Sequence, residues 1–112
     1  MEAADRVLLT SLPGAPFVEQ LARRVDEGAI VVLGPREALY EARKECAGLA
    51  HVLFVEGSRD EIPWAEAWFD DILDPQPDAP TAEMLRVLKP GGRILGLALP
   101  GESSSGDGPQ MG

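Results

Sequence analysis

An α/β domain with a parallel sheet and helices on both faces is what this sequence predicts, and three observations predict it. Short apolar, β-branched runs alternate with segments of helical spacing. The connections are brief and punctuated by glycine and proline, as between the units of a wound sheet. Residues 83–95, reading E-M-L-R-V-L-K-P-G-G-R-I-L, spell one helix-to-strand step. There Met84, Leu85, Val87 and Leu88 recur at helical spacing, and Pro90 cannot continue the helix. Gly91 and Gly92 permit a tight reversal, and an unbroken apolar run follows, as in a strand buried on both faces.

The other elements follow in order. Residues 6–12 form an apolar first strand closed by Pro13-Gly14. Pro16 suits the opening turn of a helix, and Phe17, Val18, Leu21, Ala22 and Val25 mark its inner face, with Gly28 as the stop. Residues 29–33 are a second strand. A second helix carries Ala38, Leu39, Ala42 and Cys46 on one side and stops at Gly48. Residues 51–55 are a third strand, residues 56–66 an irregular polar segment, and residues 68–73 a fourth strand. The stretch 74–80, with three prolines, is a loop, and Thr81 caps the last helix. The domain is expected to span residues 1–100, followed by a flexible Gly/Ser-rich tail over 101–112 that has too few apolar groups to pack.

Composition removes several function classes. Ten basic groups against nineteen acidic ones leave a formal charge of -9, a field that repels phosphate backbones and anionic lipid. Neither a nucleic-acid nor a membrane role is expected. One cysteine, Cys46, excludes an internal disulfide and disfavours a thiolate metal site. His51 has no second histidine beside it, so no metal site is expected. The N-terminus lacks the apolar core of a signal peptide, so a cytoplasmic location is expected.

Residues 83–93 resemble class I S-adenosylmethionine (SAM)-dependent methyltransferases, especially the small-molecule type 11 group, in which E-M-x-R-V-L-K-P-G-G-R enters the fifth strand. The resemblance extends over residues 5–99. Ile62-Pro63-Trp64 match the ending of the family's G-D-A-x-x-L-P-F, and Trp68-Phe69-Asp70-Asp71-Ile72 match its W-F-D-x-I. It implies a Rossmann-like sheet of about five strands in the order 3-2-1-4-5. It also implies a SAM site at the carboxyl ends of the first two strands.

The family's cofactor residues are replaced at most positions. In its first motif, V-L-D-x-G-x-G-x-G, the acid falls on Leu9 and the glycines on Ser11, Pro13 and Ala15, with Gly14 out of register. The ribose-binding acid falls on Leu33, or on Gly34 with a shift of one. Ser58 stands where an Asp meets the adenine amino group, and Asp70 matches the family acid of the fourth motif. Proline cannot supply the backbone shape that those glycines provide. These positions are therefore read as vestigial, with no cofactor bound and no catalytic residue. The adjacent Asp70 and Asp71 point to opposite faces of a strand and cannot share a proton with each other. They read as strand-end carboxylates holding a turn.

The resemblance also implies two further strands that this sequence does not supply. The run from Arg93 to Leu99 would then be an apolar edge strand, which native proteins rarely leave bare. The expected role is a non-catalytic module that pairs as a homodimer through that edge, or with another partner. The alternative is an active small-molecule methyltransferase, with SAM as cofactor, completed by oligomerisation. A third reading places a different ligand in the old cleft, against Arg59, Trp64 and Trp68. Whether the protein is an enzyme stays open at this level.

Overall fold

The computed structural model describes residues 2–97. Ala98, Leu99 and the predicted tail lie outside the described residues. The elements are β1 (Arg6–Leu9), α1 (Ala15–Arg24), β2 (Ala29–Gly34), α2 (Arg36–Glu45), β3 (Val52–Glu56), β4 (Phe69–Asp74), α3 (Ala82–Val87) and β5 (Leu88–Gly96). All four strand pairings are parallel, in the order β3-β2-β1-β4-β5. This is the predicted α/β architecture in the predicted strand order. None of the described helices is long and apolar enough to cross a membrane.

Alternation along the strands divides the core in two. Val7, Leu9, Ile30, Val32 and Phe54 meet Val18, Leu21 and Ala22 of α1, Leu39 and Ala42 of α2, and its C-cap Cys46 on one face. Leu8, Val31, Leu33 and Ile72 meet Ile62 of the crossover segment and Met84 and Val87 of α3 on the other. Both faces of β1 and β2 are thus buried, which is why their sequences are apolar without interruption.

Three sequence expectations need correction. β1 ends at Leu9 rather than residue 12, because the chain bends at Thr10 and Ser11 after its last rung to β4. α3 ends at Val87, two residues before the predicted stop. Pro90 disfavours helical backbone at Lys89, so the chain is already extended there. Residues 89–92 then form a bulge within β5 rather than a reversal. Phe69 pairs with Leu88 and Asp71 with Arg93, so several residues of β5 stand against few of β4. Gly91, at φ 84°, supplies the left-handed residue this bulge requires.

The irregular crossover runs over residues 57–68, where the sequence predicts 56–66, yet it is firmly tied to α3. Glu83 accepts from the Ile62 N–H at 3.1 Å, and Arg86 donates to the carbonyls of Ile62 and Trp64 at 2.8 and 2.9 Å. The Thr81 hydroxyl bonds the Arg59 carbonyl while also capping α3 through the Met84 N–H.

Candidate functional site

In a parallel sheet of this winding, ligands bind beyond the carboxyl ends of the strands where the order reverses, here between β1 and its neighbours. Seven of the eight sequence-predicted positions gather at that end. Leu9 closes β1, Ser11, Pro13 and Gly14 lie in the loop that follows, and Ala15 opens α1. Leu33 lies next to the end of β2, and Ser58 follows β3. Asp70 does not join them. It stands at the start of β4, where it accepts from the Arg6 N–H at 2.9 Å and from Lys89 Nζ at 3.1 Å. It ties the start of β1 and the bulge of β5 to β4, where the sequence predicts that it holds a turn.

The loop after β1 is shaped by its prolines. Pro13 is buried, and no residue from 9 to 15 has a positive φ. Gly14 is the N-cap of α1 with φ -65° and ψ 154°, values open to any residue. Pro13 and Pro16 each remove one N–H from the loop and the first turn of the helix. The loop, α1 and α2 border a cleft of about 280 Å³ lined mainly by Leu12, Pro13, Val18, Ala42, Cys46 and Phe54. Burial pushes the Cys46 thiol up, and the nearby carboxylates of Glu19 and Glu45 add to the effect, so it is a protonated core group.

At the end of β2 the two candidate positions differ. The Leu33 side chain is buried in the core shared with α3 and faces away from the loop after β1. A Cβ on Gly34 would stand 3.3 Å from Leu39 Cδ2 and 3.8 Å from Leu12 Cβ, directed toward that loop. Gly34, not Leu33, is therefore the position from which a β2 side chain could reach the cleft.

The principal polar group here is one that sequence reasoning missed. Asp74, the last residue of β4, has a fully buried side chain. Arg59 donates to both its oxygens at 3.0 Å, the Gln76 N–H donates at 2.7 Å, and the Thr10 hydroxyl also bonds it. Burial alone would push this carboxyl up, but those donors outweigh it and hold Asp74 below the ordinary carboxylate range. Arg59 is held in turn by the Ala79 carbonyl at 2.7 Å. Both oxygens of Asp74 are thus engaged by other parts of the protein. In the sequence, D-P-Q-P reads as the start of a loop, and only the run of apolar residues before it signals a strand end.

None of Arg59, Trp64 and Trp68 lines the cleft beside α1 and α2. The two tryptophans pack edge to face with centroids 5.2 Å apart, both against Phe69 at the start of β4, and Arg6 stacks 4.4 Å over Trp68. Trp64 and Trp68 thus pack with Phe69 and Arg6, while Arg59 is engaged by Asp74. His51 is structural: its Nε2 donates to the Ala22 carbonyl at 2.9 Å, tying β3 to α1. Among the described residues there is no cluster of three or more His, Cys, Asp or Glu able to hold a metal.

No family model and no curated protein matches this chain. Solved structures do. The YcgJ protein of Bacillus subtilis matches 85% of this chain at 24% identity with a TM-score of 0.65, over 44% of its own length. A SAM-dependent methyltransferase of Aquifex aeolicus matches 80% of this chain at 21% identity and a TM-score of 0.63, over 53% of its length. A provisionally assigned methyltransferase of Haloferax volcanii, in complex with the Trm112 methyltransferase activator, matches 84% at 24% identity and a TM-score of 0.65, over 45% of its length. This chain has the class I methyltransferase-like fold, and it spans about half the length of the solved structures it matches.

Proposed function

We propose that this domain, which has the fold of class I SAM-dependent methyltransferases, does not bind SAM and serves as a non-catalytic module that pairs with a second copy of itself. The observation that carries the first half is the closed polar cluster at Asp74. The buried carboxylate at this end of the sheet is already bonded by Arg59, Thr10 and the Gln76 N–H. A cofactor would have to displace Arg59 from a buried charge, which is costly. The rest of the site supports the same reading. Neither Leu33 nor Gly34 offers a carboxylate to a ribose, and Pro13 and Pro16 withhold two backbone donors. The Ser58 hydroxyl accepts from the Asp60 N–H.

The second half rests on β5. It is the last strand of the sheet, and among the described residues no strand pairs with its outer side. The Leu97 N–H bonds the Asp74 carbonyl at 2.9 Å, so by alternation the N–H groups of Ile94 and Gly96 point outward. Ile94 and Leu95 are only partly buried beside that edge. Two copies related by a two-fold axis would pair these edges antiparallel and continue the sheet. Apolar burial there contributes roughly 25 cal/mol per Å². The Haloferax volcanii complex gives a precedent for a protein partner on a domain of this shape. The acidic charge of -9 argues against nucleic acid and anionic lipid as partners.

Calorimetric titration with SAM tests the cofactor half. No saturable heat is expected up to about 1 mM, a threshold of about -4 kcal/mol. Saturable binding below that concentration would overturn it.

A further inference from the structure

The amino end of the sheet, opposite the cleft, holds a second buried carboxylate. The Asp71 side chain is 2% exposed, and its Oδ1 accepts from Arg93 Nε at 3.1 Å. Its Oδ2 is buried and lacks a hydrogen-bond partner among the described residues. Asp71 faces a cleft of about 240 Å³ that Glu2, Asp5, Asp70, Lys89 and Arg93 also line. Asp5 lines the same cleft, its Oδ2 accepting from the Glu2 N–H at 3.1 Å, and its carboxyl lies beside that of Asp71.

Two ionised carboxylates are both acceptors, so contact between them requires a hydrogen. Lys89 is engaged by Asp70, Arg93 is engaged by Asp71 Oδ1, and no metal-competent cluster occurs among the described residues. A proton held between the two carboxyls supplies the donor that the pair needs. We propose that Asp5 and Asp71 share one proton, and that this proton latches the N-terminal segment 2–5 onto the amino end of the sheet.

That segment covers the turn between α1 and β2. The Ala3 carbonyl accepts from the Glu27 N–H at 2.9 Å, and the Asp5 carbonyl accepts from the Ala29 N–H at 3.2 Å. A Cβ on Gly28 would lie 1.9 Å from the Asp5 carbonyl oxygen, so the segment sits directly on that glycine. Burial, and then the Asp5 carboxyl, push Asp71 up to about 6 despite Arg93, while the bond to Asp71 lowers Asp5. The raised Asp71 contributes stability fully present below 3.8 and lost as pH rises through about 6. The lowered Asp5 contributes stability present above 3.8 and lost as pH falls through its folded value. The latch is therefore closed between about pH 4 and 6 and opens above that window. Deprotonation sets Asp71 against Asp5, with Glu2 and Asp70 also nearby. It also strengthens the hold of Asp71 on Arg93, so the segment loosens while β5 stays in register.

Amide exchange on the full chain tests this. Protection of the Glu27 and Ala29 amides should fall about tenfold or more between pH 5 and pH 8 as the segment opens locally. The Asp71 carboxyl carbon should titrate near 6. Asp71→Asn and Asp5→Asn should each flatten the profile, because the amide supplies a permanent donor. If Asp71→Asn fails to fold, Asp5→Asn, nearer the surface, decides the matter. An Asp71 carbon titrating in the ordinary carboxylate range, or equal protection at both pH values, would overturn the proposal. So would restoration of protection at pH 8 by added ammonium or magnesium, which would make the orphan oxygen a cation site.

Discussion

Arg59 Nε and Nη2 each donate at 3.0 Å to a different oxygen of Asp74, joining the crossover segment to the end of β4 fifteen positions away. This two-pronged contact pins an otherwise irregular segment and neutralises a fully buried charge. It stands at the carboxyl end of the sheet, the end at which a parallel sheet of this winding receives its ligands.

Removing Asp74 should be costly. Asp74→Ala strands Arg59 on two carbonyls and leaves Thr10 and the Gln76 N–H without their acceptor. The expected loss is about 3 kcal/mol, the low end for a broken buried pair, because about a quarter of the Arg59 side chain remains in water. Urea unfolding at neutral pH measures it. A change under about 0.5 kcal/mol, typical of a surface site, would show that the cluster is not a structural anchor.

The same carboxylate fixes the sign of an acid response. Its folded value lies below the unfolded 3.8, so the stability it contributes is present above 3.8 and lost as pH falls through the folded value. Arg59→Ala removes the main donor and should move the acid-unfolding midpoint upward. Circular dichroism followed from pH 5 to pH 2 checks this, and an unmoved midpoint would contradict it.

The fold was legible because periodicity reports burial. Apolar runs at residues 29–33 and the helical spacing from Phe17 to Val25 each mark one local environment. The opposite faces assigned to Asp70 and Asp71 were legible for the same reason. Asp70 bonds the Arg6 N–H and Lys89, whereas Asp71 turns to Arg93 and Asp5. The two carboxylate clusters were not legible. Asp74 is set by Arg59 and Thr10, and Asp71 by a residue 66 positions earlier, and no local pattern encodes such meetings. The bulge at residues 89–92 was mistaken for a turn because Pro-Gly-Gly suits either. The outcome depended on β4 lying alongside to pair with Leu88.

On the proposal that the unaltered protein does not bind SAM, geometry points to the substitutions that would introduce binding. Ser11→Gly, Pro13→Gly and Ala15→Gly free the loop after β1, and an acid facing the cleft belongs at position 34. Leu33→Asp would bury a carboxylate among Leu8, Val31 and Ile62, at a cost of several kcal/mol. Gly34→Asp needs only a small shift of the Leu39 side chain. The quadruple variant carrying Gly34→Asp should gain weak, roughly millimolar SAM affinity, measurable by calorimetry. Tighter binding by the unaltered protein would count against this assignment of the site.

The direction of each N–H on β5 gives the sharpest test of assembly. The Leu97 N–H is bonded to Asp74, so Leu97→Pro breaks the sheet itself and cannot report on the outer edge alone. The Gly96 N–H points outward, and a Cβ there meets only Pro77 Cγ at 3.8 Å, an ordinary contact. Gly96→Pro therefore places a ring where a second strand would dock and leaves the β4 ladder intact. Light scattering at micromolar concentration should report a dimer for the unaltered protein and a folded monomer for Gly96→Pro. Leu97→Pro should lose its circular dichroism signal or precipitate. A Gly96→Pro protein that remains dimeric would move the interface away from β5. A monomeric unaltered protein with rapidly exchanging Ile94 and Gly96 amides would leave the edge solvated and the self-association reading without support.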